Sequence, residues 1–134
     1  MQDVSVFHKI SFDQFLQDSK TAGFIDNETS PEIVKIVWEN LKLPITATKR
    51  QTYHFFLPYS FYLCPDKTVI VPTGINRLTG FCQEIKLTAR PCLEKKHGMK
   101  VETIYNNEHI LAKISVESNL CLSEGDKFAK GILY

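Results

Sequence analysis

The sequence predicts a mainly β fold, of the jelly-roll or small-barrel kind, with a short helical extension at its N-terminus. Three observations predict it. From Thr52 onward, β-prone runs recur at short intervals with turn signals between them. Before Pro44, apolar residues recur instead at helical spacing behind two capping serines. A chain of 134 residues and 15.4 kDa, 43% apolar and 23% charged, is long enough for one globular unit that needs no metal or disulfide to fold.

Taken in order, Val4, Val6, His8 and Ile10 alternate and predict a short strand. Ser11 followed by Gln14 forms a capping box, and Phe12, Phe15 and Leu16 share one face of the helix it opens, which Gly23 ends. Ser30-Pro31 opens a second helix, whose stripe is Ile33, Ile36, Val37 and Leu41 with Trp38 close by, and Pro44 stops it. The stripe is expected to pack on the body of the protein. Residues 1–43 thus form a strand and two-helix extension, and 44–134 the β domain. Its strands are expected at Tyr53–Leu63, Thr68–Val71, Phe81–Leu87, Val101–Tyr105, His109–Val116 and Phe128–Tyr134. Turns are expected at Pro65-Asp66, Thr73-Gly74, Asn106-Asn107 and Gly125-Asp126. In one run Ile110, Ala112, Ile114 and Val116 fall on a single face.

Sixteen Lys and Arg against 15 Asp and Glu leave a formal charge of +1, which argues against a large nucleic-acid surface. Apolar runs are short and the first residues carry Asp3 and His8, so neither a transmembrane helix nor a secretory signal is expected, and the cytoplasm is the default location. Cys64, Cys82, Cys92 and Cys121 form no C-x-x-C pair. They are read as reduced thiols, most of them half-buried in strands, and not as a zinc site completed by His97 or His109. No phosphate-cradling G-x-x-x-x-G-K or G-x-G-x-x-G, no G-x-S-x-G and no H-E-x-x-H occurs. Arg90, Lys95, Lys96, His97 and Lys100 cluster around Gly98. They read either as a solvated turn or as an anion site.

Several segments, in order, resemble one family. Leu43-Pro44-Ile45-Thr46-Ala47-Thr48-Lys49 with Tyr53-His54-Phe55-Phe56 resembles the opening of a trimeric dUTPase. Val71-Pro72-Thr73-Gly74-Ile75 is similar to its P-T-G-I signature, and Ala89-Arg90-Pro91-Cys92-Leu93 to its second motif. Tyr105 to Ile110 resembles the stretch after the third motif, and Glu124-Gly125-Asp126-Lys127-Phe128-Ala129-Lys130-Gly131-Ile132 the fourth, G-D-x-x-A-Q-G-I. Ile10 to Leu43 resembles the helical extension of the clostridial and Gram-positive phage branch.

The resemblance implies a dUTPase-like jelly roll or β-clip, a homotrimer with sites between subunits, and Mg²⁺-dependent hydrolysis of dUTP to dUMP and pyrophosphate. In that family an Asp of the third motif activates water, and a β-hairpin reads uracil. This chain departs from the pattern at each step. Only six residues separate Gly98 from Tyr105, which implies too little chain for the hairpin, and Glu102 is the only acid nearby. His54 stands where the family has Asp, Pro91 where it has a phosphate-binding Ser, and Lys130 where it has Gln. No Gly-rich fifth motif follows before Tyr134. Loss of a general base alone costs about 10²–10⁴ in rate.

The expectation is therefore a catalytically impaired dUTPase-family protein acting as a binding or regulatory module, with a divergent active dUTPase as the alternative. No catalytic residue is expected unless the protein is active, in which case Glu102 is the base and Mg²⁺ the cofactor. Otherwise neither a cofactor nor a metal site is expected. Arg90, Lys130, His54 and Gly74 are the expected phosphate- or nucleotide-binding remnant. A nucleotide or other anion is expected at the Arg90, Lys95, Lys96 and Lys130 region. Further copies of the chain and an unidentified protein are the expected macromolecular partners, with neither nucleic acid nor membrane.

Overall fold

The computed structural model describes residues 7–47, 51–77, 84–106 and 109–133. In chain order the elements are β1 (Phe7–Lys9), α1 (Phe12–Thr21), α2 (Pro31–Glu39), β2 (Ile45–Thr46), β3 (Thr52–Phe56), β4 (Phe61–Leu63), β5 (Val69–Arg77), β6 (Ile85–Ala89), α3 (Pro91–His97), β7 (Lys100–Asn106), β8 (His109–Ser115), β9 (Leu120–Leu122) and β10 (Lys127–Leu133). Among the described residues the strands form two four-stranded antiparallel sheets, ordered β1-β5-β8-β7 and β2-β3-β10-β6, and a β4-β9 ribbon. No helix among them is long and apolar enough to cross a membrane. The architecture is the mainly β one that the sequence predicts.

The main core is built from inward-facing alternate residues of both sheets, with Phe55, Leu87, Ile110, Ile114 and Phe128 almost fully buried. Ala112 and Val116 join Ile110 and Ile114 on that face, as their alternation predicts. Leu111 and His109, on the opposite face of β8, are buried as well.

A second, smaller core of Ile10, Phe15, Val34 and Leu41 joins the helices to β5. Gly74 makes this packing close: a Cβ there would lie 2.5 Å from Leu41 Cδ1 and 3.3 Å from Phe15 Cδ1. Its φ of +73° costs a glycine little and any other residue more. Thr73-Gly74 is thus not the turn expected. It is an irregularity inside β5, where pairing with β8 shifts between Pro72 and Ile75. The Thr73 hydroxyl spans the shift, donating to the Ile110 carbonyl and accepting from the Ile75 N–H.

Helix α1 carries the predicted capping box, with Gln14 N–H on Ser11 Oγ at 3.2 Å and Ser11 N–H on Gln14 Oε1 at 3.3 Å. Helix α2 starts at Ser30-Pro31 as predicted, but its buried face differs. Val34 and Leu41 are buried and Val37 and Trp38 half-buried, whereas Ile33 and Ile36 are 59% and 60% exposed. The two stripes share Val37 and Leu41, so spacing alone does not choose between them. Trp38 chooses: its Nε1 donates to the Ile10 carbonyl at 2.8 Å and its ring meets Phe12 edge-on.

Other expectations also change. The run Tyr53–Leu63 breaks at Leu57-Pro58 into β3 and β4, because Leu57 turns away to pair its backbone with Gly125 and Asp126. The segment around Lys95 is not a solvated turn but helix α3, with Pro91 in its first turn and Gly98 in the left-handed conformation as its cap. Its lysines complement the negative end of the helix. The Gly98–Tyr105 segment, expected to be too short to hold a hairpin, contributes the single strand β7. With Gly98 already capping α3, β7 begins at Lys100 and pairs with β8 over seven residues. Val4 and Val6, Phe81 to Gln83, Asn107 and Tyr134 lie outside the described residues.

Candidate functional site

The candidate site is the outer face of the β2-β3-β10-β6 sheet. In β10, Ala129, Gly131 and Leu133 point inward, and Lys130 and Ile132 alternate with them on the other side. Gly131 lets the strand approach its neighbours, since a Cβ there would lie 2.6 Å from both Ile85 Cδ1 and Phe55 Cε1. Lys130 stands opposite His54 of β3 and Thr88 of β6, and Ile45 of β2 stands opposite His54. One row across the sheet thus reads Ile45, His54, Lys130, Thr88. Lys127 pairs with Phe56 one step along. Arg90 follows β6 directly, and its N–H donates to the Phe128 carbonyl at 3.0 Å, which fixes the exposed guanidinium's root beside β10.

The electrostatics of this face are one-sided. Partial burial comes first, and then the positive charges of Lys127, Lys130 and Arg90, in holding the His54 imidazole below its ordinary pKa. None of the charges acting on it is a carboxylate. The neighbouring Asp126 carboxylate is engaged in its own turn, accepting from Ser123 N–H at 3.2 Å. Such a face attracts anions, and Arg90 offers a planar fork that suits phosphate oxygens. It offers poor ligands to Mg²⁺, which takes oxygen donors and usually one or two carboxylates. Among the described residues no group of three or more His, Cys, Asp and Glu gathers to hold a metal ion.

The structure therefore brings together His54, Arg90 and Lys130, and adds Lys127, which the sequence reading had not singled out although it lies in the same fourth-motif segment. It does not bring Gly74 to them: Gly74 is in the other sheet, beneath Leu41 and Phe15. Lys95 and Lys96 lie in the last turn of α3 and are not among the charges acting on His54. His97 is held by Ser118, Nδ1 to Oγ at 3.0 Å.

Glu102 projects from β7, exposed and opposite Lys113, in the other sheet. It borders a groove of about 460 Å³ between β6 and β7. Side chains bridge this seam. Tyr105 Oη accepts from Ile85 N–H at 2.9 Å and donates to Ile85 O at 2.7 Å, and Thr103 Oγ1 accepts from Leu87 N–H at 2.7 Å. None of the three described cysteines is both half-buried and in a strand, where most were expected to be: Cys64 is half-buried but lies outside a strand. Cys92 is exposed in α3, Cys121 is exposed in β9, and Cys64 follows β4 with its thiol on Asp66 at 3.0 Å. Cys82 lies outside the described residues.

One polar pair has no signal in the sequence. His109 Nδ1 and Asp18 Oδ2 lie 3.0 Å apart, both buried, joining β8 to α1 across 91 positions. No local spacing announces such a pair.

No family model and no curated protein sequence matches the chain. Solved structures do. A point mutant of the dUTPase of S. aureus phage phi11 is 16% identical, with 72% of this chain and 84% of that chain covered at a TM-score of 0.62. A mutant dUTPase of Staphylococcus bacteriophage 80alpha is 14% identical over 72% and 77% of the two chains, at 0.59. The EIAV dUTPase is 20% identical over 66% and 78%, at 0.54. At such identities a likeness shows the fold alone, and the fold of this chain is dUTPase-like.

Proposed function

We propose that this chain is a binding module on a dUTPase-like scaffold, which holds the phosphate chain of a nucleotide on the basic sheet face and hydrolyses it poorly or not at all. The observation that carries the reading is the convergence of His54, Arg90, Lys127 and Lys130 without an opposing carboxylate. Pro91, next to Arg90, has neither hydroxyl nor N–H to offer a phosphate. Among the described residues of one chain, none of the charges acting on His54 is an acid that could activate water there. A regulatory role fits a binding module of this kind. A fold neighbour, the 80alpha dUTPase, is described as controlling transfer of virulence genes by a G protein-like mechanism. The working unit in this proposal is a homotrimer, with a protein as a further partner.

The experiment is thermal unfolding with dUTP, dTTP, dCTP and UTP, alongside pyrophosphate release from dUTP with Mg²⁺. A nucleotide at 100 times its Kd adds about 2.7 kcal/mol of stability, and Arg90→Ala lowers that gain at the same nucleotide concentration. No pyrophosphate above a blank is expected. Stabilisation by no nucleotide defeats the proposal.

A second reading has one observation in its favour. Strands β7 and β8 pair along seven positions, and Glu102 on β7 is exposed to solvent. If trimeric packing sets Glu102 of one copy against the basic face of the next, the chain is a divergent dUTPase with Glu102 as base. Uracil- and deoxyribose-selective turnover, lost in Glu102→Gln, establishes that reading.

A further inference from the structure

We propose that the basic face takes up a triphosphate chain without a divalent cation, and that His54 joins the binding by gaining a proton as the anion arrives. The inference rests on the anion-binding reading above and adds how the anion's charge is met. His54 stands between Ile45 and Lys130 in the row across the sheet. Lys130 faces it from β10, Lys127 lies one step along the same strand, and Arg90 stands at the end of β6. From β2 it meets only Ile45, which is apolar, and from its own strand Phe56, over whose ring Lys42 Nζ sits at 5.3 Å. Every charged group so placed, among the described residues, is positive.

Two consequences follow from Coulomb's law. In the free protein partial burial and then the surrounding cations disfavour the protonated imidazole, so beside three fixed charges the face has one latent one. A bound triphosphate reverses the local potential and makes the protonated ring the favoured form. A group whose pKa is higher in the complex than in the free protein strengthens binding as pH falls. The gain is complete below the free-state pKa and is lost as pH rises through that of the complex. The second consequence concerns metal. Mg²⁺ on a phosphate chain needs the negative charge that the four side chains use, and the face gives it no carboxylate in return. The metal therefore competes with the protein for the anion.

The test is calorimetric titration of the full chain with inorganic triphosphate and with dUTP, in EDTA and in Mg²⁺, from about pH 8 to about pH 5.5. Two buffers of different ionisation enthalpy count the protons taken up. The terminal phosphate of the ligand titrates near pH ~6 and acts in the opposite sense, so the histidine's share is the difference between wild type and His54→Gln. We expect wild type to take up to one proton more than His54→Gln. The affinity difference between them then changes by at most about tenfold per pH unit, one proton being involved. Adding Mg²⁺ is expected to weaken binding. Arg90→Ala is expected to weaken binding while keeping most of the proton uptake, since Arg90 is the smallest of the three cationic influences on His54, and this separates a fixed charge from a latent one. Equal proton uptake by wild type and His54→Gln, or tighter binding with Mg²⁺, overturns this inference while leaving anion binding standing. No binding of either ligand in any condition overturns both. Equal affinity for inorganic triphosphate and dUTP assigns the recognition to the phosphate chain, and a preference for dUTP adds the nucleoside.

Discussion

Gly74 shows how one residue type at one position links the two cores. Sequence places it in a P-T-G-I segment and reads it as a turn and as part of an anion site. In the structure it is the point where β5 gives way so that Leu41 and Phe15 can settle against the sheet. Gly74→Ala is expected to destabilise the protein by about 2 kcal/mol or more, the sum of a left-handed backbone penalty and overpacking. Urea unfolding measures this. His54 was legible as a residue of interest because the resemblance placed it, but its surroundings were not. Lys127 and Arg90 reach it through sheet register, which no linear spacing encodes. His109 and Asp18 were illegible for the same reason.

At the scale of elements, capping chemistry was read well and helix rotation poorly. Ser11 and Ser30 cap α1 and α2 as their side chains dictate, because caps are local. The buried face of α2 is set by what lies under it, here Ile10 and Phe12 beneath Trp38. The rotation is testable by unfolding. Val34→Ala is expected to cost about 2 kcal/mol, whereas Ile36→Ala stays within about 0.5 kcal/mol. The reverse order restores the stripe expected from spacing. Helix α3 escaped the sequence reading because seven residues give periodicity too little length to show, although Pro91 and Gly98 mark both its ends. Between Gly98 and Tyr105 the chain has room for one strand only, and β7 starts almost at once after the helix cap.

For the whole molecule, the order of motifs along the chain carried more than any one of them, and the dUTPase-like fold follows although sequence identity to the solved structures is only 14–20%. Quaternary structure is a prediction: light scattering at micromolar concentration is expected to report three times the 15.4 kDa chain mass. Ile33, Ile36, Leu43 and Ile45 are all more than 40% exposed and provide apolar surface that association would bury. The place of β10 has a consequence in time. It is the last of the described strands in chain order and lies between β3 and β6, so until residues 127–133 have been made β6 has no ladder partner and β3 has only the two-residue β2. During synthesis β1, β5, β7 and β8 can pair first, and the helices can dock on them. His54 and Arg90 then wait on separate, unjoined segments until Lys127 and Lys130 arrive. A ribosome-bound chain lacking β10 has no assembled basic face, so under the proposed function ligand capture begins only after that strand has zipped into the sheet.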